Sequence, residues 1–345
     1  MKNYRSFRNR SGKISFLIEK KFVIVFLLLL ILSLFLFIIG LSVGSTLINP
    51  VATLQHLLGA GNGEYTFIID TLRLPRIILS LLVGAALGVS GLLLQGIVRN
   101  PLASPDIIGI TGGASVAAVT FITYFSEFSI KWIPLVAIIG AGVASLIIYL
   151  LAWKKGVTPI RLVLIGIGVQ AGMGALVTML IVLSPTYSTS EAYIWLTGSV
   201  YGANWDNVYS MLPWVLVFIP LALLFSREVN VQELGDDVAL GLGSRVQFQR
   251  FTLLFISVAL AGSAVAFAGG IGFVGLIAPH IARKLIGRSF GSLVPISALI
   301  GGTIVFSADV VARTAFIPLD LPAGVLVSGI GAPFFIYLLY RNRHQ

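Results

Sequence analysis

The chain alternates long apolar runs with short polar breaks. Ten runs stand out, at residues 22–39, 77–97, 107–125, 132–153, 162–183, 208–225, 251–268, 271–281, 293–311 and 321–340. A helix needs about 20 apolar residues to cross a hydrocarbon layer of ~30 Å, and most of the runs approach that length. The eighth, with 11 residues, is the marginal one. The pattern predicts an all-α integral membrane protein of about ten transmembrane helices.

Charge placement orients the bundle. With the N-terminus inside, 19 of the 23 Lys and Arg fall on the cytoplasmic side, as the positive-inside bias expects. Only Arg73, Arg76, Lys131 and Arg313 remain outside. Dropping the short eighth run would invert everything after it, so the asymmetry supports ten spans with both termini cytoplasmic. Hydrophobic residues make up 57% of the chain and charged residues 10%, against about 25% charged in soluble domains. The net charge of +10 is then spent on topology and anionic membrane lipid, not on nucleic acid. With no cysteine there is no disulfide, thiolate nucleophile or Cys-bound metal. The run at 22–39 exceeds the 7–15 residues of a signal-peptide core and reads as a retained first span. The organisation is a basic cytoplasmic tail at 1–21, one transmembrane domain at 22–340 with a cytoplasmic segment at 226–250, and a short cytoplasmic tail at 341–345.

Gly270, Gly272 and Gly275 spell a G-x-G-x-x-G. A dinucleotide loop also needs a preceding strand and an acidic residue about 20 positions on. Here an apolar span precedes it, and 285–305 contains no Asp or Glu. A shift of 174 residues offers another explanation. It places Arg76 on Arg250, Gly88 on Gly262, Gly96 on Gly270, Ile97 on Ile271, Leu102 on Leu276 and Pro105 on Pro279, without gaps. Five spans separate the copies, so the repeat is inverted, as in many transporters. Gly270–Pro279 then matches Gly96–Pro105, with Pro101 in the first copy. Both stretches read as helix-breaking elbows, glycine giving close packing and proline interrupting the backbone ladder.

Several stretches resemble one family throughout the chain from about residue 70 onward. They are RLPR (73–76), NPLASPDIIGITGGA (100–114), WLTGS (195–199), LGDDVALGLG (234–243), AGGIGFVGLIAPHIAR (268–283), ADVVAR (308–313) and LPAGVLVSGIGAPFF (321–335). They are similar to the permease subunits of ATP-binding-cassette importers for iron–siderophore complexes, haem and vitamin B12. The resemblance implies a ten-span subunit of the bacterial cytoplasmic membrane. It pairs with a second copy or a related permease, sits on two ATPase subunits and receives substrate from an extracytoplasmic binding protein. ATP and Mg are used by the ATPase partners; this chain hydrolyses nothing and binds no cofactor.

Two sets of residues follow. Leu234, Gly235, Asp236, Asp237, Ala239, Leu242 and Gly243 lie in a polar stretch where two glycines bracket one or two amphipathic turns. Asp236 and Asp237 suit the first turn's dipole, and such a helix can seat in a groove of a soluble partner. The resemblance makes it the coupling helix, received by the ATPase. Arg73, Arg76 and Arg313 run against the charge bias, and Arg suits bidentate carboxylate pairing. The resemblance places them at the docking surface for glutamates of the binding protein. Asp309 reads as an i,i+4 partner orienting Arg313, Asp106 as a cap, and His280 as a satisfied structural histidine. His56, His280 and His344 show no metal spacing, and no catalytic constellation stands out. The reading is a ferric-siderophore permease working by alternating access. Haem or B12 is the alternative cargo, and an ion-coupled secondary transporter the alternative class. The 234–243 segment and the scarcity of membrane acids argue against the latter.

Overall fold

The computed structural model describes residues 4–8, 15–61, 63–125 and 127–341. An antiparallel pair of five-residue strands, β1 (Tyr4–Arg8) and β2 (Ser15–Glu19), leads directly into α1 (Lys20–Ser42). These strands are the one departure from helix and loop among the described residues. Next come α2 (Pro50–Leu57) and a π-helical stretch, Phe67–Arg73, that continues into α3 (Leu74–Val98). A 3-10 turn at Pro105–Ile108 precedes α4 (Ile110–Tyr124), and α5 (Ile133–Ala152), α6 (Pro159–Leu183) and α7 (Thr186–Thr197) follow. The rest is α8 (Trp205–Leu224), α9 (Ser226–Gln232), α10 (Asp236–Gly241), α11 (Val246–Ala268), α12 (Val274–Ile286), α13 (Phe290–Thr314) and α14 (Ala323–Arg341).

Local chemistry sets many of the starts. Pro50, Pro75, Pro134 and Pro159 sit in the first two positions of α2, α3, α5 and α6, where a missing N–H costs nothing. Asn49 Oδ1 accepts from Val51 N at 2.9 Å and Asn204 Oδ1 from Asn207 N at 3.0 Å, capping α2 and α8.

Each of the ten apolar runs contains a helix, though the eighth and tenth begin outside one. Among the described residues, seven helical segments are long and apolar enough to cross a membrane: α1, Phe67–Val98, Ile130–Ala152, α6, α8, α11 and α13. The other three runs form α4, α12 and α14. The marginal eighth run is displaced: α12 occupies 274–286, not 271–281, and its 13 residues span only ~20 Å.

α3 is the axis of the bundle. Nearly every residue from Val83 to Ile97 is buried, and the helix packs on α13, α11, α12 and α8. Backbone meets backbone at two crossings. A Cβ on Gly84 would fall 2.1 Å from the Gly301 carbonyl oxygen, and one on Gly91 would fall 2.0 Å from that of Gly275. Without a hydrophobic drive between helices in lipid, such close approach supplies the packing. By contrast, α1 and α6 bury only a few residues each and turn apolar faces outward.

The elbows differ from the sequence expectation. The first break follows Arg99, which caps α3 in the left-handed region, so Gly96 lies inside the helix, where it makes room for Val229. Pro101 falls in the turn after Arg99 and Pro105 opens the 3-10 turn. The second break runs from Gly269 to Phe273, so Gly270 and Gly272 lie in it while Pro279 sits inside α12. Of the three motif glycines, Gly275 is closely packed, with Pro105 Cδ 3.0 Å from a would-be Cβ. Gly272 is a correction: the nearest atom to its would-be Cβ is Ser328 Oγ at 3.8 Å, an ordinary contact, so it is not held as glycine by packing.

Candidate functional site

Two charged clusters close opposite ends of the bundle. At one end, Gly235 (φ 113°) and Gly243 (φ 82°) turn the chain sharply on either side of α10. Asp236 opens that helix and accepts from Arg250 Nη2 at 2.8 and 3.1 Å. It also pairs with Arg99, the cap of α3. Arg250 is wholly buried and donates through its other terminal nitrogen to the Val157 carbonyl. Partial burial disfavours the Asp236 carboxylate, but Arg99 and Arg250 outweigh it and hold the carboxyl below the ordinary Asp value. A short helix is thereby tied to α3 and α11 through one side chain.

The rest of α10 and its flanks are two-faced. Val238 and Leu240 of the helix and the flanking Leu234 and Leu242 are exposed, whereas Ala239 is fully buried against its own chain. The expectation that Ala239 belongs to the outward face is therefore corrected, and Asp237 is exposed beside the leucines. Next to α10, burial pushes Glu233 above the ordinary Glu value, against the pull of Arg283 and Arg288.

At the other end the three anticipated arginines do come together. Arg73 donates to the Leu41 carbonyl and, at 2.6 Å, to that of Thr46, while Arg313 donates to the Gly40 carbonyl. Gly44 lies against both guanidiniums. Arg76 donates to Asp309 at 2.8–3.0 Å and to Asp320 at 2.7 and 2.8 Å, with its guanidinium carbon 5.6 Å from the Tyr201 ring centre. The expected partnership of Asp309 with Arg313 is thus secondary. Its nearest approach is 3.8 Å, and the wholly buried Asp309 belongs to Arg76. Three guanidiniums against two carboxylates leave one positive charge in excess.

Beyond the two clusters, Asp70 and Trp205 carried no sequence reading, while His56, Asp106 and His280 did. His56 Nε2 lies 3.1 Å from both oxygens of Asp70, 14 residues away, and Trp205 Nε1 donates to the Asp70 carbonyl at 2.8 Å. Asp106 accepts from Thr111 and, at 3.4 Å, from Ser104, so it braces the first elbow. His280 packs edge-on to Phe334, but its Nε2 has no partner, which corrects the satisfied-histidine reading. A cavity of about 840 Å³ between α5, α7, α8 and the end of α11 contains Lys131, Glu191 and Trp195. Among the described residues no three His, Cys, Asp or Glu gather as metal ligands. Asp320 and Arg99 carried no sequence signal of their own. Arg76 and Arg250 did, because they align in the 174-residue repeat, and each anchors one of the two clusters.

Comparison with known proteins follows the same lines. The FecCD transport family profile matches residues 29–341. The chain is 48% identical over 333 residues to the "Probable siderophore transport system permease protein YfhA" of Bacillus subtilis (strain 168), covering 95% of this chain and 97% of that one. It is 48% identical over 318 residues to the achromobactin transport system permease protein CbrC of Dickeya dadantii (strain 3937), covering 92% and 91%. Among solved structures it matches a metal-chelate-type ABC transporter in an inward-facing conformation. The TM-score is 0.82 at 31% identity, with 92% of this chain and 99% of the other covered.

Proposed function

Because the chain belongs to the FecCD transport family, we propose that it carries ferric siderophores into the cytoplasm by alternating access, driven by partner ATPases. It is the transmembrane component of an ABC importer, a transport subunit and not an enzyme, and a multi-pass protein of the bacterial cytoplasmic membrane. Siderophore as cargo rests on the relatives' names; the mechanism rests on this chain's own residues. In this reading ten helices cross the membrane, both termini and α9–α10 are cytoplasmic, and two such subunits sit on two ATPases that use ATP and Mg.

The observation that carries the reading is α10. A six-residue helix between two positive-φ glycines presents Val238, Leu240 and its C-cap Leu242 to solvent beside the exposed Leu234, while Asp236 ties it to α3 and α11. An apolar face held out on a tether suits a groove in a soluble partner. The ATPase receives it, and its movement reaches α3 and α11 through Asp236.

The arginine cluster lies on the outer face. Its first role is to tie α1, α3 and α13 together. Its positive excess and the exposed edge at Asp320 also suit an incoming carboxylate of the binding protein. The test is uptake of radiolabelled ferric siderophore by cells that lack or carry this chain, with its ATPase and binding protein present in both. The reading predicts uptake only when the chain is present; equal uptake without it overturns the reading.

A further inference from the structure

The cavity of about 840 Å³ between α5, α7, α8 and the end of α11 has the size of a small-molecule site, roughly 300–1,000 Å³. Its wall is divided by polarity. Ile122, Ile133, Ala266 and Ala268 are apolar and buried. Lys131, Glu191 and Asp206 bring one positive and two negative charges to the same wall, where they are exposed or half-buried. Among the described residues none of the three belongs to an ion pair. Glu191 accepts a hydrogen bond from the Tyr187 hydroxyl. Charges of both signs around one opening, unpaired with each other, complement a ligand that itself carries both signs.

Its surroundings are those of a lipid boundary. Tyr201, which lines the cavity, has the Arg76 guanidinium carbon 5.6 Å from its ring centre, so the cavity opens at the arginine-bearing end of the bundle. Trp132, Tyr201 and Tyr209 are exposed, and such rings gather where headgroups meet protein. An apolar stripe leaves the cavity along α5. It begins at Leu135, a lining residue, and continues through Ile139, Val143, Leu146 and Leu150, all exposed and three or four positions apart. At 1.5 Å per residue the stripe covers about 22 Å. α5 contains no charged residue and lies in a segment apolar enough to cross a membrane. A charged mouth leading to an uncharged track has the outline of a phospholipid.

We propose that the cavity binds one zwitterionic phospholipid with a primary-ammonium headgroup, its phosphate toward Lys131, its ammonium toward Glu191 and Asp206, and an acyl chain on the α5 stripe. The outer leaflet supplies it in the orientation proposed above, and the site does not depend on the cargo. Headgroup chemistry sets the choice. An anionic headgroup satisfies Lys131 but sets its net negative charge against two carboxylates, and such repulsion is how a site rejects the wrong partner. A quaternary ammonium balances the charge but has no N–H to donate, and charge-assisted hydrogen bonds are the strong ones. The lipid also lies against a joint. Trp195 and Gly269 line the cavity, Ser199 N donates to the Ala268 carbonyl at 2.7 Å, and Gly324 N donates to the Gly198 carbonyl at 2.9 Å. The ends of α7 and α11 and the start of α14 meet there, and an occupied cavity braces them.

The test uses the complete importer, permease with its ATPase, purified in detergent and stripped of lipid. It is titrated with phosphatidylethanolamine, phosphatidylcholine or phosphatidylglycerol of identical acyl chains, and native mass spectrometry counts the lipid retained per permease. Wild type should retain one phosphatidylethanolamine with about tenfold higher affinity than either of the others, as expected for a hydrogen bond between charged groups, and its thermal unfolding midpoint should rise with that lipid. The double variant Glu191→Gln with Asp206→Asn should lose the preference and the rise. Lys131→Glu, a change at an exposed side chain, should weaken retention of all three lipids. Equal retention of the three lipids by wild type, which needs no variant, overturns the proposal. So does a preference that survives in the double variant. Displacement of phosphatidylethanolamine by a ferric chelate, one for one, would instead assign the cavity to the cargo and overturn the lipid site. Transport is not measured, so failure of the lipid site leaves the importer reading standing.

Discussion

The two ends of the bundle use the same chemistry and different mechanics. At the end proposed to face outward, Arg76 bridges Asp309 and Asp320, and Arg73 and Arg313 bind carbonyls at the end of α1 and just beyond it. Most of these groups sit on helices of more than 20 residues or on the π-helical lead into α3, and Asp309 is wholly buried. At the end proposed to face the cytoplasm, Arg250 and Arg99 converge on one carboxylate carried by a six-residue helix between two positive-φ glycines. The arginine cluster fastens α1, α3 and α13 to one another. The Asp236 cluster fastens a short helix to α3 and α11. A guanidinium–carboxylate pair is a rivet or a tether according to what carries the carboxylate.

The largest expected effect comes from breaking the rivet. Asp309→Ala would leave Arg76 and Arg313 short of their buried acid, costing about 3–5 kcal/mol. Thermal unfolding in detergent should fall well below wild type, and further than for any substitution in α10. A second break is at the α3–α12 crossing. Gly91→Val should cost about 1–3 kcal/mol or more, since its Cβ has no space beside the Gly275 carbonyl. Gly272→Ala should stay within about 0.5 kcal/mol, because nothing lies closer than 3.8 Å. Comparable losses at both positions would refute the packing argument.

Breaking the tether should cost less stability and more transport. Asp236→Asn should lose about 1 kcal/mol while uptake falls sharply. The sign with pH follows from the depressed Asp236 carboxyl. Its stabilisation is complete above the ordinary carboxylate value and is lost as pH falls through the lower folded value. Wild type should therefore lose part of its stability below about pH 4, a step that Asp236→Asn lacks in a pH titration of unfolding. The smallest effect sharpens the docking reading. Asp320 competes with any incoming carboxylate for Arg76. Asp320→Asn should tighten binding-protein association about two- to fivefold, measured in nanodiscs at low salt; weaker association would count against docking through Arg76.

Much of this was legible in the sequence, for identifiable reasons. Apolar run length located a helix at each of the ten runs, seven of them in helical segments long and apolar enough to cross a membrane among the described residues. The repeat found Arg76 and Arg250 because both copies use an arginine near the start of a central helix. The facing of Ala239 was not legible. In a helix of six residues, periodicity cannot separate a buried alanine from exposed leucines, and only the contact with the rest of the chain decides. Nor could sequence see that Asp309 serves Arg76, 233 residues away, more than Arg313, four residues away. Local spacing always favours the near partner. The α12 start was missed because Gly269–Phe273 is apolar in composition yet not helical, a distinction hydropathy does not draw.

The central claim is that the exposed face of α10 is where the ATPase engages the permease. The most direct measurement is the affinity of the purified ATPase for the permease in nanodiscs, comparing wild type with Leu240→Arg and Asp237→Asn. The account predicts that Leu240→Arg weakens binding at least about tenfold, as for an interface hot spot, with unchanged thermal stability and lost uptake. Asp237→Asn should bind nearly as well as wild type. If Leu240→Arg binds the ATPase with wild-type affinity, α10 is not the coupling surface.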